Sequence, residues 1–217
     1  MLRKLSGALL AAGLVVLAAP AAAGPWPRGE REGFASATWR GTPGGRGDYA
    51  ALYLEYGATE RLTFGLDAGR AIDGGGKSVI FLQWAQRRRV AGLHLSWQVG
   101  LGTVNGRAVV RPGVSLGRSF GEGHRTGWIA ADALAEIGGD GTTDAKLDLT
   151  LGVTRAAGRK ALLQLQTGRE WGDPPFARIE AAAVMPLRGR SALTLGVFHD
   201  LDPDGTGGIA LGLWQRF

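Results

Sequence analysis

The sequence contains no cysteine, and only three histidines and two methionines, among its 217 residues. Without cysteine, the chain can form neither a disulfide framework nor a thiolate metal site. After residue 23, no stretch is long and apolar enough for a transmembrane helix, which needs about 20 apolar residues. These absences exclude a disulfide-stapled domain and a helical membrane protein.

The first 23 residues have the pattern of a secretory signal peptide. Arg3 and Lys4 precede an apolar stretch over residues 8–19, and three alanines at 21–23 match a signal-peptidase site. The alternative is a membrane anchor, but the apolar run is too short to span a bilayer. We therefore predict a cleaved signal peptide over residues 1–23 and a single domain over 24–217.

The chain is basic, with a formal net charge of +6 and a sequence pI near 10.3. A nucleic-acid-binding protein concentrates its basic residues on one face. Here they are spread through short connections, so we predict no nucleic-acid partner.

The most regular feature of the remaining chain is a two-residue alternation of apolar and polar side chains. Over residues 93–101, leucine, tryptophan and valine occupy every odd position, while histidine, serine, glutamine and glycine occupy the even ones. Such alternation is typical of strands with one apolar and one polar face.

The alternation predicts twelve strands with only short connections between them. The Asn105-Gly106 pair is a strong signal for a two-residue hairpin, and no connection is long enough for a parallel crossover. The predicted strands are residues 33–40, 49–57, 62–72, 78–86, 90–102, 107–119, 127–137, 145–154, 161–170, 176–186, 191–199 and 208–217.

A meander with this pattern forms either a soluble lipocalin-like or sandwich domain or a membrane barrel. The export signal favours the membrane barrel, as does the terminal Phe217, which resembles the C-terminal assembly signal of Gram-negative outer-membrane barrels. Six of the seven tryptophans, at 39, 84, 97, 128, 171 and 214, lie on or beside strands, as an interfacial girdle requires. We predict an all-β fold, an up-and-down antiparallel transmembrane β-barrel of about 12 strands, with outer-membrane lipids and the barrel-assembly machinery as partners.

The polar row carries both signs of charge and is predicted to line the lumen. Its candidate lumen-lining residues are Glu55, Asp67, His94, Gln98, Arg111, Asp132, Glu136, Lys146, Asp148, Arg178 and Glu180. An even strand number places both termini on one side, which we predict to be periplasmic; the turns on that side are basic and the loops on the other side mainly acidic.

Two segments resemble known barrels. The stretch "EYGATERLTFGLDAG", residues 55–69, is similar to a strand-turn-strand unit of many proteobacterial outer-membrane barrels. The stretch "GPWPRGEREGF", residues 24–34, resembles the start of small alphaproteobacterial barrels of the XagA-like type. This resemblance implies an association with exopolysaccharide and biofilm, but no particular substrate.

Three short motifs are too incomplete to predict chemistry or recognition. The pair His94 and Ser96 resembles that of outer-membrane lipid hydrolases, but Trp97 follows where those enzymes have asparagine, and catalysis needs a third orienting group. The stretch "GGGKS", residues 74–78, is not followed by the helix of a phosphate loop. The "RGD" at 46–48 is typical of a solvated turn. We predict that the chain is not an enzyme and binds no cofactor.

The last loop contains a partial calcium motif. Asp200, Asp202 and Asp204 have the spacing of an EF-hand opening, and Gly205 follows them, but Leu211 stands where the bidentate glutamate belongs. The sequence therefore predicts either a weak divalent-cation site or a solvated acidic loop.

Two classes of function follow from the sequence, of which we predict the first and keep the second as the alternative. One is a small passive pore for ions or small polar solutes, lined by the charged row. The other is a structural or surface-interaction barrel associated with exopolysaccharide, with a plugged lumen. Twelve strands lie between the eight that fill with side chains and the sixteen that leave an aqueous channel.

Overall fold

The structure is a computed structural model that describes residues 24–45, 47–72, 74–89, 91–122, 125–203 and 205–217. The predicted signal peptide lies outside the described residues. The strands follow one another along the chain: β1 (Gly33–Gly41), β2 (Tyr49–Gly57), β3 (Leu62–Ala71), β4 (Gly76–Ala85), β5 (His94–Val104), β6 (Arg107–Glu122), β7 (Arg125–Gly138), β8 (Thr143–Thr154), β9 (Lys160–Arg169), β10 (Phe176–Pro186), β11 (Ser191–Asp200) and β12 (Gly207–Arg216). One short 3₁₀ turn, Ala156–Gly158, joins β8 to β9.

The strands form a closed antiparallel barrel, as the sequence predicts. Each strand pairs with its neighbours in the chain, and β1 closes the sheet by pairing with β12. Closure removes both sheet edges, so every strand has a hydrogen-bonded neighbour on each side. Within the described ranges, no helix is long and apolar enough to span a membrane.

The start of β1 and the last residue of the chain meet at one end of the barrel, called here the terminal end. The Gly33 N–H donates to the Phe217 carbonyl over 2.7 Å, and the Phe217 N–H donates to the Gly33 carbonyl over 3.1 Å. The last residue therefore continues the seam between β1 and β12. The opposite end, called the distal end, carries the Asn105-Gly106 turn, where φ angles of 49° and 79° fit the predicted two-residue hairpin.

The largest boundary error of the sequence prediction is at β5. The prediction begins this strand at residue 90, whereas the structure begins it at His94. Ala91 and Gly92 have positive φ angles of 51° and 79°, outside the β region, and form a turn. Val90 itself lies outside the described residues.

The two faces of each strand differ in the way the alternation predicts. On β8, Leu149 is 41% exposed on the outside of the barrel, while its neighbour Thr150 is 8% exposed on the inside. The outside also carries the cross-strand pair of Trp84 and Trp97, both about half-exposed. The outer surface is thus a continuous apolar belt, which is unfavourable in water and favourable in lipid.

The girdle expectation for the tryptophans is wrong at two positions. Trp128 is 3% exposed and lies inside the barrel, where the Lys160 ammonium is 5.5 Å from its ring centroid. Trp214 also belongs to the inner row, with its ring 5.8 Å from that of Phe34. Position near a strand end does not place a tryptophan on the outside, because the two-residue alternation along the strand decides which face a side chain occupies.

Candidate functional site

The candidate site is the barrel lumen, because the charged side chains of the inner row meet there. Asp67 of β3 and Arg111 of β6 form an ion pair, with the Arg111 Nη1 atom 2.6 Å from the carboxylate. Two strands, β4 and β5, separate them in the sheet, so the contact crosses the interior. Lys77 adds a second cation to Asp67 over 2.7 Å, and Glu136 lies 3.7 Å from Arg111.

A second ion pair crosses the lumen near the seam of the barrel. Arg40 of β1 donates to Glu180 of β10 over 2.9 Å, although β11 and β12 lie between these strands in the sheet. Both side chains are mostly buried. Ion pairs of this kind narrow the lumen and keep its lining polar. The buried charges are tolerated because each has an opposite charge beside it.

Two further ion pairs lie along the wall. Lys146 contacts Asp148 over 2.9 Å within β8, and Arg178 of β10 contacts Asp200 of β11 over 2.6 Å. The structure therefore brings most of the predicted charged row into contact. Gln98 is also half-buried, and its Oε1 atom has no hydrogen-bond partner within the described part of the chain.

Asp132 differs from the other inner carboxylates. In the strand register it lies opposite Ser115 of β6 and opposite Asp148 of β8. Lys146 is engaged by Asp148. Among the described residues, no lysine or arginine nitrogen forms an ion pair with Asp132. Two carboxylates directly across a strand pair repel each other, so this position favours an additional cation.

The segment that precedes β1, residues 24–32, is called here the inner segment: residues 24–28 lie inside the barrel, and Glu30, Arg31 and Glu32 are exposed at the terminal end. Its Arg28 side chain forms an ion pair with Glu55 of β2 at 2.5 Å, and both side chains are nearly inaccessible. The Arg28 N–H donates to the Thr63 hydroxyl of β3 over 3.1 Å. Glu55, predicted to line an aqueous lumen, is therefore covered by this segment.

The inner segment continues towards the middle of the barrel. The Gly24 carbonyl accepts hydrogen bonds from the Gln83 amide of β4 and the Ser96 hydroxyl of β5. The Trp26 ring lies 5.7 Å from that of His94. A Cβ on Gly117 of β6 would collide with Pro25, so glycine at this position makes room for the segment. Contacts with inner-row residues of several successive strands place the segment within the lumen.

Sequence reasoning missed the inner segment and the aromatic part of the lumen. The segment carries two prolines and Arg28 between the predicted cleavage site and the first strand, and that polar composition before a strand was the available signal. The rings of Tyr53 and Phe81 stack inside at 5.6 Å. Strand parity in β4, where Ile80 is exposed and Phe81 is buried, was the signal for Phe81.

Residues of the short motifs that the sequence leaves incomplete make contacts within the barrel. Ser96 is 1% exposed and bonded to Gln83 and Gly24, and His94 packs against Trp26, so these two residues serve the inner segment. Lys77 of "GGGKS" pairs with Asp67. In the "RGD" tripeptide, Arg46 lies outside the described residues.

The distal end holds the predicted cation loop. Asp200 already pairs with Arg178, Asp202 is exposed, and Asp204 lies outside the described residues. In the described part of the chain, no three of His, Cys, Asp and Glu are grouped to hold a metal ion. The calcium site therefore stays a prediction.

Two other distal carboxyls have shifted pKa values. Hydrogen bonds from Thr142 lower the pKa of Asp140, whose carboxylate they stabilise. Burial, with repulsion from Asp144, raises the pKa of Glu170. The distal rim thus combines one strongly ionised carboxyl with one that is harder to ionise.

The closed twelve-strand barrel, its apolar outer belt and its charged interior define a transmembrane β-barrel. The fold is similar to the "KdgM porin", with a TM-score of 0.62 over 86% of this chain and 99% of that one, at 6% identity. The same values hold for the "KdgM porin in complex with disordered oligogalacturonate". The COG4313 outer membrane channel from Pseudomonas putida F1 has a TM-score of 0.57 over 92% of this chain and 99% of its own, at 12% identity.

These likenesses concern the fold, since the identities are low. No family model matches the chain, and no curated protein matches it in sequence. These three structures are described as porins and a channel.

Proposed function

We propose that the chain is a small passive channel of the outer membrane that admits ions or small polar solutes. The observation that carries the proposal is the interior, where ion pairs such as Arg40 with Glu180 and Arg111 with Asp67 cross the lumen. A purely structural barrel of this size gains more stability from an apolar interior, because replacing buried ion pairs by packed apolar side chains is often stabilising. Charges of both signs along a path are typical of a route for polar solutes.

The candidate solutes follow from the chemistry of this path. Carboxylates and guanidinium groups exchange hydrogen bonds with hydroxylated or charged solutes, and stacked aromatic rings such as Tyr53 and Phe81 offer an apolar surface beside them. One structure of the same fold is a porin in complex with oligogalacturonate, which supports polar sugars and sugar acids as the class to test first. We place both termini at the periplasmic side, with the basic turns of the terminal end.

The second candidate is a closed structural barrel that associates with exopolysaccharide through its distal loops. The inner segment favours it, because the ion pair of Arg28 with Glu55 and the bonds to the Gly24 carbonyl hold that segment within the lumen. In this alternative the same charged pairs hold the segment and stiffen the barrel, and no solute passes.

Single-channel recording on the purified protein in a planar bilayer separates the two candidates. We expect discrete conductance steps in the parent, and a shift of selectivity towards anions when Asp132, Glu136, Asp148 and Glu180 are changed to the corresponding amides, since charged rings set ion preference. Asp202→Asn removes one exposed distal charge outside the lumen and serves as the control, with selectivity unchanged. Folded protein that gives no conductance steps would favour the structural barrel.

A further inference from the structure

The inner segment brings one cation to Glu55, and its position indicates that it brings a second cation to Asp132. A carbon in the Cβ position of Gly24 would lie 3.4 Å from Oδ1 and 3.7 Å from Oδ2 of Asp132. The backbone of Gly24 is therefore beside the carboxylate. It is held there independently of Asp132, because Gln83 and Ser96 both donate to the Gly24 carbonyl.

Among the described residues, Asp132 lacks the cationic partner that the other inner carboxylates have. It faces Asp148 across the β7–β8 register, and Lys146 is engaged by Asp148 at 2.9 Å. The other inner carboxylates have cations of their own: Glu55 pairs with Arg28, and Asp67 with Lys77 and Arg111. A positive charge beside Asp132 would give this carboxylate a cationic partner as well.

We propose that cleavage after Ala23 creates an α-ammonium group on Gly24 that pairs with Asp132, so that the mature amino terminus is bound in a dedicated site inside the barrel. The α-amino group is largely protonated at neutral pH. A terminal glycine has no side chain to obstruct the approach and can turn its amino group towards the carboxylate. Signal processing thereby converts an uncharged peptide nitrogen into the missing cation.

This site gives a reason why the inner segment is held in the lumen, although the segment is not part of any strand of the barrel. Two ion pairs, Arg28 with Glu55 and the Gly24 ammonium with Asp132, hold residues 24–28 of the segment, and Pro25 fits against Gly117 between them. Prolines at 25 and 27 restrict the unbound segment and reduce the entropy that docking removes. The mature terminus is therefore a plug whose charges match the lumen.

Amine acylation of the folded protein tests the proposal and does not depend on whether the barrel conducts. The precursor is expressed with its own leader and purified from the outer membrane, and intact mass identifies the mature terminus, which we expect to be Gly24. The folded barrel is then treated near neutral pH with an N-hydroxysuccinimide ester, and the labelled N-terminal peptide is quantified. We expect labelling to be slow in the parent and fast in protein unfolded in urea.

Asp132→Asn should speed labelling by about tenfold, the factor that corresponds to about 1.4 kcal/mol of lost pairing. Glu180→Gln makes the same charge change elsewhere in the lumen, next to Arg40, and should leave the rate as in the parent. Asp132→Glu keeps a carboxylate and should retain the protection. A different mature terminus, labelling of the folded parent as fast as in urea, or equal rates in Asp132→Asn and Glu180→Gln would overturn the proposal.

A second variant keeps the test decisive if Asp132→Asn does not fold. One glycine inserted between Ala23 and Gly24 moves the amino group by up to about 3.6 Å and leaves every lumen side chain unchanged. We expect this variant to fold with normal heat-modifiability and to be labelled faster than the parent. Unchanged protection in the inserted variant would contradict a specific site for the Gly24 amino group.

Discussion

Leu149 and Thr150 offer a direct test of which face of the barrel contacts lipid. The centre of β8 falls between Asp148 and Leu149, so Leu149 lies within about 2 Å of the bilayer midplane for a strand rise of about 3.4 Å per residue. Its side chain is 41% exposed on the outside. Leu149→Arg should therefore destabilise the barrel by about 2 to 4 kcal/mol, the cost of arginine at the midplane.

The neighbouring substitution should cost much less. Thr150 is inside, where it accepts a hydrogen bond from Gln164 over 3.3 Å, and an arginine there extends into a polar interior beside the carboxylate of Asp148, two residues away on the same face. We expect Thr150→Arg to cost less than about 1 kcal/mol. The difference in destabilisation between Leu149→Arg and Thr150→Arg distinguishes the effect of the barrel face from the general effect of adding a charge.

Depth supplies a matched control on the outer face. Ile137 is also exposed, but it is the penultimate residue of β7, about 14 Å from the strand centre along the barrel axis for a tilt of about 40°. Ile137→Arg should cost about 0 to 1 kcal/mol, as arginine does near the interface. Reversible urea unfolding in lipid vesicles, followed by tryptophan fluorescence, measures all three free energies. Equal costs for Leu149→Arg and Thr150→Arg would refute the assignment of the faces.

Two further predictions concern the ends of the barrel. Phe217→Asp should leave export intact but strongly reduce the folded, heat-modifiable protein in the outer membrane, because it places a carboxylate where the apolar Phe217 ring lies against Gly33 at the β1–β12 seam; normal folded levels would contradict its role as an assembly signal. At the distal end, calorimetry should detect calcium binding in the millimolar range at best for the parent, and none for Asp202→Asn/Asp204→Asn. Identical titrations of the two proteins would leave only an acidic loop.

The charge compensation of the lumen links the proposed channel to the proposed site of the amino terminus. When the inner segment is present, its Arg28 pairs with Glu55 and its Gly24 lies beside Asp132. Displacement of the segment would leave both carboxylates without those cations and make the lumen more attractive to cations. The position of the segment would then set both the width and the charge of any path through the barrel.

The sequence by itself determined the barrel, because the determinants of a meander are local. A two-residue period fixes which side chains share a face, and short connections containing pairs such as Asn105-Gly106 permit only antiparallel neighbours. The same period separated Leu149 from Thr150. It also places Trp84 on the outer face and Trp128 on the inner face, although both lie near strand ends.

Only the tertiary structure decided which charges meet and what occupies the lumen. Arg111 and Asp67 are 44 residues apart in the chain, and Arg40 and Glu180 are 140 apart, so their contacts depend on the closure of the sheet and on the stagger of its strands. The inner segment has no periodicity, and its place follows from a cavity that exists only after closure, in which Glu55, Gln83, Ser96 and Asp132 converge. A local pattern cannot encode such a convergence, because side chains from separate strands become neighbours only when the barrel brings them together.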